Sequence, residues 1–470
     1  MNQDQHSNET GIETIDVLIL GAGGGGYPAA LFLAKAGLKV VMVDPFGNLG
    51  GDCLAEGCIP SKALRESALL RAMGRKYEYF GLRGDMPGFD WRAVLAHKDK
   101  VQNIRYSQHT AEIGASSMVF HKGRGRILGP HEAEVRIDNT ERRYRFAWLI
   151  AATGSRPHIL PVPGSELAIT SHDIFRLGTD LVLPNHLAVI GGGYIGAETA
   201  SMLNHLGTDV TILEATDALM PGIDQEMRDY LTRKLSERCT VLTSATATSI
   251  EKIGGGKRRL HYRAEGQERT LDADAVLMAT GREAVPPDGG ETIGLPASGS
   301  VKVDTAMRTA LPHIFAPGDV NGRSMLFHSA VRQSMVAAHN ILAGGQIVDR
   351  FNERSVPFTV FTEPELAWVG LDEVQARKQR LDVSVVRYDY ETDSRAQIFD
   401  AMDGFIKLVF DNGTQRLIGA QIAGLDAAQV IAPLALAVEE QSTANVLTSM
   451  VFPHPMITEG INKAARKFQP

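Results

Sequence analysis

The 470-residue chain has only three cysteines, Cys53, Cys58 and Cys239. That is too few for the disulfide framework of a secreted scaffold, so a cytoplasmic setting is expected and a close cysteine pair reads as chemistry rather than stapling. Basic charge is also short. The 48 Lys and Arg against 55 Asp and Glu leave −7, with no excess to offset a polyphosphate backbone, and no nucleic-acid partner is expected. One uncharged stretch, Val17 to Ala34, is nearly long enough to cross a bilayer. Gly21, Gly23 to Gly26 and Pro28 in its middle suit a strand, tight turn and helix instead, so no membrane insertion is expected. The first Lys or Arg is Lys35, so a positively charged export start is missing and no export is expected. What remains is an ordinary globular balance, with 44% hydrophobic and 22% charged residues and enough length for two to four domains.

A polar, mobile start is expected over Met1 to Thr14. The run Ile15 to Leu20 is short, apolar and rich in β-branched residues, as a buried parallel strand is. Tyr27 to Ala36 is helical in composition and Lys39 to Val43 is a second strand closing at Asp44, which completes a βαβ unit of about 30 residues. A second copy follows: strand His186 to Ile190, glycine turn Gly191 to Gly196, helix Ala197 to Leu206, strand Asp209 to Leu213 and then Glu214. Two such units predict two dinucleotides. Pro and Gly cluster at Pro157 to Pro163 and at Pro286 to Gly290, as crossover linkers would. From Phe351 the character changes to an antiparallel sheet with helices, including a strand at Phe405 to Phe410 and an apolar helix at Ala427 to Glu440 whose surface predicts an interface.

In the first turn Gly21, Gly23 and Gly26 fill the glycine places of G-x-G-x-x-G, and Gly191, Gly193 and Gly196 fill them in the second. The first glycine makes the tight turn, the second lets backbone approach a pyrophosphate, and the third lets the helix pack on the strand with its N-terminal N–H groups at the anion. Asp44 and Glu214 stand where an acid accepts from a ribose hydroxyl. At Glu214 a carboxylate would repel a 2′-phosphate, which favours NAD over NADP.

Cys53 and Cys58 lie in the segment Gly50 to Lys62, a few residues after the first βαβ unit. Their spacing puts the thiols roughly 140° apart on an ideal helix, so a bridge needs non-helical backbone, which Gly57 permits. Beside a dinucleotide such a disulfide can accept two electrons and return them by thiol exchange. Two free thiols without a redox role remain the alternative; a metal site has no second cysteine or histidine pair at ligand spacing. Cys239 has no sequence partner and reads as an inert buried thiol.

Gly50-Gly51, the two cysteines, Gly57 and Ile59-Pro60-Ser61-Lys62 closely resemble the redox segment of the disulfide flavoprotein reductases, above all the dihydrolipoamide dehydrogenases. Ala152-Thr153-Gly154-Ser155, Thr280-Gly281-Arg282, Gly318-Asp319 and His454-Pro455 to Glu459 follow in family order, so the likeness covers nearly the whole chain. The resemblance implies an α/β fold with two Rossmann-like domains and a C-terminal α+β dimerisation domain. FAD would occupy 1–155 and 280–350, NAD 156–279, and the homodimer interface 351–470. It also implies roles. Cys53 would be the interchange thiol, Cys58 the thiolate beside the flavin, and Lys62 would sit near the flavin and pair with Glu198. Gly125, Thr153, Gly154, Gly281, Asp319 and Phe327 fall among the cofactor-binding positions, Asp319 on the ribityl chain. His454 would be the acid/base, held by Glu459 and reaching the cysteines of the other subunit. On residue chemistry alone His454 is open to a second reading as a helix cap, with Pro455 at the first helical position. The implied reaction is oxidation of a dihydrolipoyl group on a carrier protein: an acyltransferase E2, a glycine-cleavage H protein or another lipoyl carrier.

Several positions depart from the family pattern. Asp52 replaces the common threonine, Glu56 adds a second carboxylate between the thiols, Phe327 stands where alanine is usual, and Met456 interrupts the His-Pro-Thr run. Carboxylates near a thiol raise its pKa unless Lys62 or His454 compensates or both carboxylates point to water, so slower or more alkaline substrate exchange is expected. Mercuric reductases share the cysteine pair but usually end in a vicinal cysteine pair, absent from Lys463 to Pro470; glutathione-type reductases favour NADP. A non-catalytic flavoprotein redox sensor is the rival of another class.

Overall fold

A computed structural model describes residues 11–469. The first unit is built on strand β1 (Ile12–Leu20), helix α1 (Tyr27–Lys35), strand β2 (Val40–Asp44), helices α2 (Gly51–Ala55), α3 (Cys58–Ala72) and α4 (Trp91–Gly114), and strands β3 (Val119–Lys122), β4 (Arg124–Gly129), β5 (Glu132–Ile137) and β6 (Thr140–Ala151). The strands run in the order β3-β2-β1-β6-β5-β4, with Ile314–Phe315 returning to pair with β6. β1 is parallel to β2 and β6, while β4, β5 and β6 form an antiparallel arm. Alternation along β1 divides its burial between two faces. Val17 and Ile19 pack with Ala30 and Leu33 of α1, and Leu18 and Leu20 pack with Ile127 and Val135 of the arm.

The second unit repeats the plan. Strands His186–Ile190, Asp209–Leu213, Thr240–Leu242 and Ala275–Met278 form a parallel sheet, with helix Tyr194–His205 following the first of them. An antiparallel sheet of Ala245–Lys252, Arg258–Ala264 and Gln267–Ala273 extends it. Ser155–Pro157 and Arg282–Ala284 pair antiparallel where the chain leaves the first unit and comes back, so both Pro/Gly clusters lie at this crossing. The C-terminal unit is a five-stranded antiparallel sheet, with Phe405–Asp411 and Leu417–Gly424 at its centre. Helix Ala427–Glu439 packs on it through Val430, Ile431 and Leu434. This is the α/β architecture with an α+β C-terminal part that the sequence predicts.

Boundaries differ where a local signal is ambiguous. Of the polar start Met1 to Thr14, residues 1–10 lie outside the described residues, whereas Ile12 to Thr14 belong to β1 because β6 reaches back to pair with them. The second helix starts at Tyr194 rather than Ala197, since the last glycine of the turn already sits in the first helical turn. Among the described residues no helix is long and apolar enough to cross a membrane, and Val17 to Ala34 forms the end of β1, the glycine turn and most of α1.

One buried ion pair ties the C-terminal sheet to the second unit. Lys407 Nζ meets Asp224 at 2.6 Å and Glu226 at 3.3 Å, and the lysine is 8% exposed. Deleting one partner of such a pair strands the other charges. Lys407→Met is therefore expected to lower unfolding free energy by about 3 kcal/mol in urea denaturation. A loss below about 0.5 kcal/mol would show the pair to be screened by solvent.

Candidate active site

The two glycine turns are alike in steric detail. Gly21 has φ +105° and Gly191 +104°; a Cβ there would stand 2.2 Å from Ala152 O and 2.4 Å from Ala279 O, respectively. A Cβ at Gly26 or Gly196 would stand 2.0 or 1.9 Å from the carbonyl oxygen of its own turn's first glycine. These four are glycine because the fold leaves no room. The middle glycines are different: a Cβ at Gly23 would touch only Gly51 Cα at 3.6 Å, and one at Gly193 would meet nothing within 4 Å. Their missing side chains leave space for something other than protein, beside a helix N-terminus that favours a phosphate. That is the fit expected of a dinucleotide at each turn.

Asp44 and Glu214 also fasten these turns. Asp44 accepts from the N–H groups of Ala22 at 3.1 Å and of Phe46 and Asn48 at 3.0 Å. Glu214 accepts from Gly192 N–H, Thr216 N–H and Thr216 Oγ, each at 2.8 Å. Both carboxylates line one continuous cleft of about 1650 Å³, larger than a single small-ligand pocket. Gly21, Gly23, Gly191 and Gly193 line it too, as do Gly125, Thr153, Gly154, Gly281, Asp319 and Phe327. Gly26 and Gly196 do not, because they pack helix against strand. Phe327 opens helix Phe327–Leu342, and its ring lies beside Gly24, where a Cβ would come within 3.0 Å of it.

The cysteines sit in the same cleft. α2 carries Cys53 and α3 begins at Cys58, with the helix broken at Glu56 and Gly57 (φ −129°, ψ −114°), so the non-helical backbone expected between the thiols is present. Both thiols are free and hydrogen-bonded to each other. Cys58 is held below the ordinary thiol range by the bond from Cys53 and then by the charge of Lys62, against the opposing effect of burial. As the first residue of α3 it also sits at a helix N-terminus, which stabilises a thiolate. Cys53 is pushed far up by the bond to Cys58 and by burial. Lys62 Nζ meets Glu198 at 2.6 Å and lies 4.3 Å from the centroid of the Phe361 ring, while Phe361 N–H donates to the other Glu198 oxygen at 2.9 Å. Cys239 is buried, and burial pushes its thiol up to about 11.

Neither departing carboxylate simply faces water. Asp52 forms an ion pair with Arg282, which also donates from Nε to Ser155 Oγ at 2.7 Å; Ser155 Oγ donates to Asp319 at 2.6 Å. Burial pushes the Asp52 carboxyl up to about 6 although Arg282 pulls the other way. Glu56 pairs with His172. The partners of these carboxylates are thus Arg282 and His172, beyond the Lys62 and His454 named from sequence. Both are remote in sequence, and only Arg282 lies in a recognisable motif.

His454 Nδ1 contacts Glu459 at 3.0 Å, and Glu459 also accepts from Met456 N–H at 3.2 Å. The contribution of Met456 is thus its backbone, which any residue but proline would supply. The next helix begins at Glu459, so Pro455 does not open a helix and the capping reading of His454 fails. Neither His454 nor Glu459 lines the cleft.

Residues 15–334 match the family model described as pyridine nucleotide-disulphide oxidoreductase, and 356–465 match the dimerisation domain of the same family. The chain belongs to the pyridine nucleotide-disulphide oxidoreductase family. Among its relatives, dihydrolipoyl dehydrogenase of Bacillus subtilis is 34% identical over 97% of this chain and 96% of its own. Dihydrolipoyl dehydrogenase of Geobacillus stearothermophilus is 35% identical with the same coverage. In structure, LpdA of Mycobacterium tuberculosis superposes with TM-score 0.88 at 27% identity, covering 98% of this chain and 100% of that one. The HOCl-induced flavoprotein disulfide reductase RclA of Escherichia coli gives 0.82 at 25%, covering 97% and 100%.

Two measurements follow from this geometry. Gly196→Ala is expected to cost at least about 2 kcal/mol of stability, whereas Gly193→Ala keeps stability within about 0.5 kcal/mol and weakens dinucleotide binding about tenfold or more by calorimetry; equal stability losses would refute the division. At Asp52, rising pH creates a carboxylate near pH 6 that opposes thiolate formation. The Cys53 alkylation rate of the parent should therefore climb less steeply through that range than in Asp52→Thr, and superimposable profiles would remove Asp52 from thiol control.

Proposed function

We propose that the chain is a dihydrolipoyl dehydrogenase, a homodimeric flavoprotein using FAD and NAD to oxidise a dihydrolipoyl group carried on a protein. The observation that carries this reading is the depressed Cys58 thiol facing Cys53 in a cleft shared by two dinucleotide turns. FAD is assigned to 1–155 with 280–350, NAD to 156–279, and the dimer contact to 351–470. Glu214 is the carboxylate that disfavours a 2′-phosphate. The carrier is an acyltransferase E2, a glycine-cleavage H protein or another lipoyl protein, met in the cytoplasm.

In the oxidative step His454 of a second copy takes a thiol proton from dihydrolipoamide at Nε2, since Glu459 occupies Nδ1 and fixes the tautomer. The resulting thiolate attacks Cys53 Sγ, the Cys53–Cys58 bond breaks, and Cys58 leaves as a thiolate steadied by Lys62 and the start of α3. The second lipoyl thiol closes the ring, releasing Cys53, which ends protonated. Glu198 holds Lys62 in place, and Phe361 N–H holds Glu198. FAD, when bound, supplies the two-electron carrier between the cysteine pair and NAD.

A steady-state assay of lipoamide and lipoylated proteins against NAD and NADP tests the reading. The parent is expected to turn over with NAD, and Cys58→Ser to lose at least about a thousandfold in kcat. Lipoamide turnover by Cys58→Ser at the parent rate would sink it.

A further inference from the structure

The break between the cysteines creates a polar problem. Ending α2 at Ala55 takes its last carbonyls out of the helical ladder, and such groups need partners when buried. Gln102 of α4 supplies them: its Nε2 donates to Leu54 O at 3.0 Å and to Ala55 O at 2.8 Å. Its Oε1 accepts from Lys98 Nζ at 2.8 Å, which polarises the amide and strengthens its N–H bonds. Lys98 also donates to Arg176 O at 2.9 Å and Phe175 O at 3.3 Å and pairs with Asp99. Both Lys98 and Gln102 are 0% exposed. A fully buried ammonium is costly compared with an apolar side chain of the same length, so packing alone does not account for it.

A second arm spans the same gap from outside. Glu56, the residue at the break, pairs with His172 in the short helix Ser171–Phe175, the segment whose end receives Lys98. The redox loop is thus strapped twice to one anchor, by an inner amide–ammonium relay and an outer histidine–carboxylate contact.

We infer that Gln102, Lys98, Glu56 and His172 are positioning residues that hold the helix break and thereby set how readily Cys53 and Cys58 close into a disulfide. This rests on the reading of the two cysteines as a redox couple. The measurable step is exchange with glutathione. Two glutathione thiols give two electrons and two protons to the Cys53–Cys58 bond, yielding two protein thiols and one glutathione disulfide. A loosened loop lowers the effective concentration of one thiol at the other and so favours the open dithiol.

The experiment equilibrates FAD-loaded protein in glutathione buffers and counts free thiols after acid quench. Gln102→Leu is expected to shift the equilibrium toward the dithiol about tenfold, or about 30 mV for two electrons. His172→Ala, on an exposed side chain, should shift it about threefold in the same direction. Lys407→Met, which removes another buried lysine far from the loop, should stay within twofold, and a shift there as large as in Gln102→Leu would reduce the effect to general destabilisation and overturn the inference. So would constants within twofold of the parent in both loop variants; if Gln102→Leu does not fold, His172→Ala and Glu56→Gln decide by the same criterion. A parent whose thiol count never changes by two across the buffers would instead overturn the redox reading itself, and this inference with it.

Discussion

Two sulfurs five residues apart cannot meet on a continuous helix, and much of the cleft is organised around that constraint. The chain needs helix on both sides: α2 to carry Cys53, and α3 to put a helix N-terminus under Cys58. It also needs the interval to be non-helical. Gly57 meets part of the requirement, since a Cβ there would come within 2.9 Å of Asp52 O. The rest falls on residues that bind the carbonyls the break sets loose, which explains why a polar amide and a lysine occupy a face of α4 where apolar side chains would ordinarily pack.

The same segment has an electrostatic asymmetry. Cys58 gains from Lys62 and from the start of α3, whereas Cys53 donates to its partner. Left alone, the two nearby carboxylates would erode that advantage. Asp52 is matched by Arg282, Glu56 by His172, and Lys62 by Glu198, which a backbone N–H orients. Each of these carboxylates therefore has its own partner, and the sign at Cys58 follows from local placement rather than from the net charge of the molecule.

Legibility in the sequence tracked locality. The glycine turns are readable because part of their reason lies within each βαβ unit, where Gly26 must clear Gly21 O and Gly196 must clear Gly191 O; the Ala152 and Ala279 oxygens that exclude a Cβ at Gly21 and Gly191 come from distant strand ends. The pairing of Lys62 with Glu198 came only through the family resemblance, since 136 residues separate them. His172 and Arg282 left no mark as partners of Glu56 and Asp52, 116 and 230 residues away. α4 is hard to read from sequence for a related reason. Its buried face comprises Leu95, Lys98, Gln102 and His109, a helical spacing made mostly of polar residues, so a search for apolar periodicity passes over it.

The position of His454 bears on the proposed need for a second copy. Its side chain is 69% exposed, its Nδ1 is occupied by Glu459, and the pair lies outside the cleft that holds the cysteines. An imidazole in water has no special hold on a thiol; it gains one when a second surface excludes solvent and brings a sulfur to Nε2. The C-terminal unit does reach the cleft, but through the non-ionisable Pro357, Phe358, Thr359 and Phe361 and through Ala428, Ile431 and Ala432 of helix Ala427–Glu439. In one chain, then, that unit gives the cleft a wall and carries its ionisable pair elsewhere. Since Pro455 starts no helix, capping does not explain why His454 is fastened to Glu459. The arrangement is consistent with the proposal that the pair of one copy serves the cysteines of another, since 356–465 match a dimerisation domain.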